Sequence, residues 1–190
     1  MSTAALWWAA AGAAGAFQPA PAVAPFAAAG TVQYAFTGDD HADAMIIAAI
    51  DTAQRQVLVQ AYSFTHRRIA EALIRARSRG VEVGVIADHE QTRVNPATLR
   101  ELARAGVPLL LDAQHAAAHN KAVIIDAGSA DCAVVTGSFN FTYAAQHRNA
   151  ENALVLRGNP PLCDAYLNNW RRHQLHSHPA AKAGCGMTAC

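Results

Sequence analysis

His119-Asn120-Lys121-Ala122-Val123-Ile124-Ile125-Asp126, followed after ten intervening residues by Gly137-Ser138-Phe139-Asn140, is the stretch on which the reading of this chain turns. Residues 122–125 are an unbroken apolar run of the kind that forms a buried strand. In extended backbone, residues two apart point the same way, so the imidazole at 119 and the ammonium at 121 share one side of the strand's entrance. A nucleophile or proton carrier beside a compact cation suits chemistry at phosphate.

Outward from this stretch, strand and helix patterns alternate. Upstream, residues 31–36 alternate like a strand, Gly38-Asp39-Asp40 offers a turn and a helix cap, and residues 42–54 carry apolar side chains at helical spacing. Residues 55–64 read as a strand. Thr65 can cap a helix over 66–79, with Ile69, Leu73 and Ala76 on one face and Gly80 as its stop. Residues 81–87 and 107–111 read as strands on either side of a short helix over 96–105, which Gly106 ends. Downstream, 122–125 and 133–136 read as neighbouring strands joined through Asp126-Ala127-Gly128-Ser129. A further strand over 152–156 and a closing helix over 161–175, with Leu162, Tyr166 and Trp170 at four-residue spacing, complete the pattern. This rhythm predicts an α/β sheet with crossover connections.

A chain of 190 residues suits one domain with a real core. The expected organisation is an Ala/Pro-rich leader over 1–30, a catalytic domain over 31–176 and a tail over 177–190. The leader has no charged side chain. Its apolar start, Pro-Ala repeats and small-residue end fit an export signal without the usual positive flank, a membrane tether and a low-complexity leader being the alternatives. The expectation is a periplasmic or secreted protein, or one tethered at the inner membrane. A formal net charge of +1 excludes a broad basic surface, so any polyanion must be held locally. Of fifteen basic side chains only Lys121 and Lys182 are lysines, which suggests that position 121 requires a compact ammonium.

The spacing H-x-K-x4-D followed by G-S-x-N resembles the signature of the phospholipase D superfamily. The similarity runs over about residues 31–175, through Tyr62-Ser63-Phe64-Thr65, GSFNFTY at 137–143 and Asn149-Ala150-Glu151-Asn152-Ala153. It is closest in kind to the small bacterial endonucleases of that superfamily that carry one motif copy. The resemblance implies a mixed sheet flanked by helices, a phosphohistidine intermediate, and no cofactor or metal. With one H-x-K copy in the chain, it also implies a homodimer in which two chains build one active site.

On this reading His119 is the nucleophile, and the partner's His119 is the acid that protonates the leaving oxygen and then activates water. Lys121 and Asn140 hold the nonbridging oxygens, and Ser138 adds a hydroxyl. Glu151 matches the acidic residue that, in the resembling family, orients the histidine through its other ring nitrogen. Asp126 is counted with the site, but its place five residues beyond Lys121 at the strand's end favours backbone or dimer structure over contact with phosphate. Duller roles compete: Ser138 and Asn140 could cap a short helix near Phe141, and Glu151 could form a surface ion pair. Arg67, Arg68, Arg93 and Arg148 are candidates for substrate phosphates, Arg148 foremost, although scattered arginines usually solvate helix faces.

Two further clusters stand outside this scheme. His115 and His119 are four apart but precede a strand, which argues against a helical zinc pair; His173, His176 and His178 could bind metal adventitiously, and neither group belongs to the mechanism. Cys132 and Cys163 read as small buried hydrophobes, and Cys185 with Cys190 as a possible short-loop disulfide. The function expected is a metal-independent, non-specific nuclease. Its rivals are a phospholipase acting on lipid headgroups, with membrane association through the leader, and an inactive nucleic-acid-binding module.

Overall fold

The apolar run after Lys121 forms the middle of the sheet. In the computed structural model, which describes residues 24–180, strand β5 (Lys121–Ile125) is buried at every position. The expectations about residues 1–23, Lys182 and the Cys185/Cys190 pair lie outside the described residues. No described helix is long and apolar enough to cross a membrane.

In chain order the elements are β1 (Thr31–Phe36), α1 (Ala42–Asp51), β2 (Gln56–Ala61), α2 (Arg67–Ser78), β3 (Glu82–Asp88), α3 (His89–Val94) and α4 (Ala97–Arg104). There follow β4 (Leu109–Asp112), β5, β6 (Ala133–Gly137), α5 (Tyr143–His147), β7 (Asn152–Arg157), α6 (Pro160–His176) and β8 (His178–Pro179). They build one eight-stranded sheet in the order β1-β7-β6-β5-β2-β3-β4-β8. The pairs β2/β3 and β3/β4 are parallel and the other five antiparallel, so the sheet is mixed, as expected.

Strand alternation divides the core. Val57, Val59, Val123, Ile125, Val135 and Val155 face one way, against Ile46 and Ile50 of α1, Ile69 and Leu73 of α2, and Leu99 and Leu102 of α4. Leu58, Ile86 and Ile124 face the other way, against Trp170 of α6, whose indole N–H donates to the Val59 carbonyl at 3.2 Å. Two packed faces explain why β2, β3 and β5 read as continuous apolar runs.

Three local expectations change. Thr65 does not cap α2: its N–H donates to the Phe141 carbonyl at 2.8 Å and His66 takes the cap position without a side-chain bond. Gly38-Asp39-Asp40 turns the chain, but Asp40 accepts from the Phe36 N–H at 2.9 Å and does not cap α1. The segment expected as a tail from Ser177 opens with β8, which pairs with β4 through Leu110 and Leu111. Helix α3 was not foreseen; the Asp88 carboxylate caps it by accepting from the Gln91 N–H at 2.8 Å.

Cys132 and Cys163 are joined in a disulfide, which corrects their reading as isolated buried hydrophobes. Both are fully buried, where the entrance to β6 meets α6. Their separation of 31 residues carries no local signal; only the packing of α6 on the sheet brings the two sulfurs together.

Candidate active site

The register of β5, β6 and β7 gathers the motif at one end of the sheet. Val123 stands opposite Val135 and Gly137 opposite Ala153. Ser138 and Asn140 leave β6, and Glu151 enters β7, on the edge where His119 and Lys121 enter β5. Gly137 makes the close approach possible: at φ 146° an added Cβ would lie 2.4 Å from the Asn152 carbonyl oxygen.

His119 is exposed, whereas Lys121 is buried to 9% relative exposure. The Lys121 ammonium lies 2.7 Å from His119 Nδ1 and donates to the His119 carbonyl at 2.7 Å. Its Nζ also sits 4.9 Å from the centre of the Tyr62 ring, which packs 4.2 Å from the imidazole. Burial lowers the ammonium below the ordinary lysine range, and the Glu151 carboxylate opposes that shift. Lys121 is therefore a cation held in place beneath an open imidazole.

Glu151 has partners other than the expected histidine. Its Oε2 accepts from Ser138 Oγ at 2.6 Å and its Oε1 from Asn149 Nδ2 at 2.9 Å. The Ser138 hydroxyl oxygen in turn accepts from the Asn152 N–H at 3.0 Å. His119 Nδ1 faces Lys121 instead. An ammonium donating there leaves the proton of the neutral imidazole on Nε2, so that nitrogen is not free to attack in this arrangement. Attack through Nε2 requires Lys121 to turn towards phosphate and the ring proton to pass to Nδ1.

The helix-cap alternative for Ser138 and Asn140 is not what the structure shows. Thr142 caps α5, its hydroxyl accepting from the Ala145 N–H at 3.1 Å. The Asn140 side-chain oxygen is buried without a hydrogen-bond partner, leaving this amide uncommitted beside the site.

Asp126 has a structural place. Its carboxylate accepts from the N–H groups of Gln54 at 2.9 Å, Arg55 at 2.8 Å and Gln56 at 2.9 Å, fixing the entry to β2 against the exit of β5. Its φ of 50° is one that Asn or Asp tolerates better than most residues. Asp126→Ala is expected to cost about 2–4 kcal/mol in urea unfolding, and Asp126→Asn less, with turnover of the folded protein within about twofold of the parent. A large loss of turnover in a stably folded Asp126→Asn protein would return this residue to the chemistry.

The arginines divide. Arg68 pairs with the buried Asp43 at 3.1 Å and Arg93 with the exposed Glu90 at 3.6 Å. Arg67 is exposed on α2. Arg148 is exposed after α5, where it lines a groove with Asp39, Asp40 and His41.

Two positioning residues escaped the sequence. Tyr62 follows β2, and its N–H donates to the Asn120 carbonyl at 3.0 Å. Asp88, at the end of β3, accepts from the Ala118 N–H at 2.8 Å and so holds the segment that leads to His119. Each is recognisable only once β2, β3 and β5 are known to be neighbours. His115 does not join His119: it gathers with His173 and His176 about Asp112.

The fold and this edge define a phospholipase D-type phosphodiester hydrolase. The chain belongs to the phospholipase D superfamily: the family described as cardiolipin synthase, PLD-like domain, matches residues 46–173. A Rickettsia bellii protein named phospholipase D is 40% identical over 139 residues, spanning 73% of this chain and 67% of that protein. Rickettsia conorii and Rickettsia felis proteins of the same name are matched over 58% of their length. Among solved structures, the phospholipase D family member Nuc from Salmonella typhimurium superposes with a TM-score of 0.74 at 33% identity, over 79% of this chain and 97% of that one. NucT from Helicobacter pylori shares the fold, with a TM-score of 0.67 at 22% identity over 79% of this chain and 100% of that one.

Proposed function

We propose that the protein is a metal-independent endonuclease that cleaves DNA, and RNA as a second candidate substrate, through a phosphohistidine on His119. The observation that carries this reading is the half-site itself: one open imidazole, His119, over one buried ammonium, Lys121, with Ser138, Asn140 and Glu151 on the same sheet edge. In the first step Nε2 attacks phosphorus in line. The N–P bond forms as the bond to the leaving oxygen breaks, and the partner's His119, protonated, gives its proton to that oxygen. In the second, that now neutral imidazole takes a proton from water, whose oxygen displaces Nε2 from phosphorus. Lys121 and the Asn140 amide offset the charge on the nonbridging oxygens in both steps.

One imidazole cannot be nucleophile and acid at once, which supports a homodimer with the site shared between chains. Nucleic acid is favoured because His119, Asn120 and Ser138 open onto a polar, exposed surface, and the exposed Arg148 is the candidate for a flanking phosphate. The likeness to Nuc over nearly its whole length supports the same choice. No base-reading element is evident among the described residues; binding held by phosphate contacts should weaken with salt and discriminate little among sequences. The disulfide supports an oxidising compartment, the periplasm or exterior, with a tether in residues 1–30 as the alternative.

The Rickettsia relatives' name favours one rival, hydrolysis of phospholipid headgroups. Plasmid nicking and headgroup release from phosphatidylcholine and cardiolipin vesicles, both in EDTA, separate the readings. Nicking with little lipid turnover is expected. Lipid cleavage without nicking would replace the nuclease by a phospholipase, and DNA binding without cleavage of either would make the domain an inactive binding module.

A further inference from the structure

We propose that Asp112, His115, His173 and His176 form a structural zinc site at the β4 end of the sheet, with β2 and β3 between it and β5. One donor atom from each residue lies within 4.8 Å of every other. Asp112 ends β4 and is fully buried. Its Oδ2 faces His173 Nδ1 at 2.7 Å, His176 Nε2 at 3.1 Å and His115 Nδ1 at 3.2 Å. Zinc bonds of about 2.0–2.1 Å set neighbouring tetrahedral ligands roughly 3.3 Å apart, so small side-chain rotations admit an ion among these four atoms.

The donor set selects the metal class. Three imidazoles and one carboxylate match zinc, while magnesium and calcium favour oxygen ligands. Without an ion, three ring nitrogens converge on one carboxylate, His173 and His176 on Oδ2 and His115 between Oδ2 at 3.2 Å and Oδ1 at 3.3 Å. With one, each nitrogen has its own bond. The ligands come as two pairs of spacing three, Asp112/His115 at the end of β4 and His173/His176 on one face of the last turns of α6.

Four protein ligands leave no open position for substrate, which makes the site a staple and not a catalytic centre. It would join the end of α6 to β4 and to the start of the 113–120 linker. The far end of that linker carries His119 and is held at Ala118 by Asp88. His178 lies apart, its ring 5.6 Å from that of His89, and serves as a control.

The test uses the untagged full chain, loaded with zinc sulfate, desalted and measured for metal by mass spectrometry. About one zinc per chain is expected, with tetrahedral Co(II) absorption on cobalt replacement. At zinc about 100-fold above its Kd, Tm should rise by roughly 5–10 °C. The His173→Gln/His176→Gln double variant should fall below about a tenth of that zinc, while His178→Gln retains it. Should the double variant fail to fold, His115→Gln, at a half-exposed ring, should still weaken zinc binding. Zinc below about a tenth per parent chain, or undiminished in the ligand variants, overturns the proposal. Well below Tm, EDTA should lower thermal stability and leave cleavage intact; loss of cleavage with no change in Tm would overturn the structural role. The metal and Tm readings stand whether or not DNA is the substrate.

Discussion

Replacing His119 with alanine is expected to lower phosphodiester cleavage by about 10⁴-fold or more, while DNA retention stays within about threefold of the parent. The substitution removes the nucleophile from one chain of the proposed dimer and the acid from the other. It should leave the fold alone, because His119 is exposed on a loop. A mixed dimer of one His119→Ala chain and one intact chain makes the reading sharper. If two chains share one site, the heterodimer should be nearly as inactive as the double variant. Full activity in the isolated heterodimer would refute the shared site, and unchanged cleavage in the homodimeric variant would remove His119 from the mechanism.

Lys121→Met comes next in size, with an expected loss of about 10²–10³-fold in kcat/KM for the nuclease. Methionine fills much of the same buried slot, so the core should keep its packing; a urea titration checks this. Lys121→Arg should rescue poorly, because a planar fork does not fit a place occupied by one nitrogen between His119 and the Tyr62 ring. The pH profile supplies an independent reading. Burial lowers the Lys121 ammonium, so it loses its proton at lower pH than an ordinary lysine, and the alkaline limb of kcat/KM should fall below the usual lysine range. The Glu151 carboxylate acts in the opposite direction. Glu151→Gln should therefore move the alkaline limb to still lower pH, besides lowering activity. An alkaline limb that ignores Glu151 would argue against Lys121 as the titrating group.

Much of the fold was legible because it rests on local periodicity. The apolar run of 55–64 and the four-residue spacing of Leu162, Tyr166 and Trp170 each imply an element that the structure contains, β2 buried on both faces and α6 packed through Trp170. Errors concentrate at boundaries and caps. Thr65 has the right chemistry for a cap, but its backbone is engaged by Phe141 from across the fold. The structural reading of Asp126 was also within reach, since a carboxylate at a strand end commonly holds backbone N–H groups. Glu151 was less accessible. Its place near the site follows from the register of β7, but its bonds to Ser138 and Asn149 depend on where two loops meet.

From sequence alone came the alternation of strand and helix, the family resemblance, and the identity of His119, Lys121, Ser138, Asn140 and Glu151 as a set. The alternation and the pairing of His119 with Lys121 follow from residue types at short intervals, where backbone geometry ties spacing to direction, whereas Ser138, Asn140 and Glu151 join them through the resemblance. Tertiary structure alone decided that Tyr62 lies under Lys121, that Asp88 holds the His119 linker, that Cys132 joins Cys163, and that Asp112 gathers three histidines. Every one of these contacts links elements whose adjacency is set by strand order and helix packing, and sequence separation carries no record of either. The histidines of α6 show the difference most plainly: spaced like surplus tail residues, they become a convergent donor set only when β4 delivers a buried carboxylate among them.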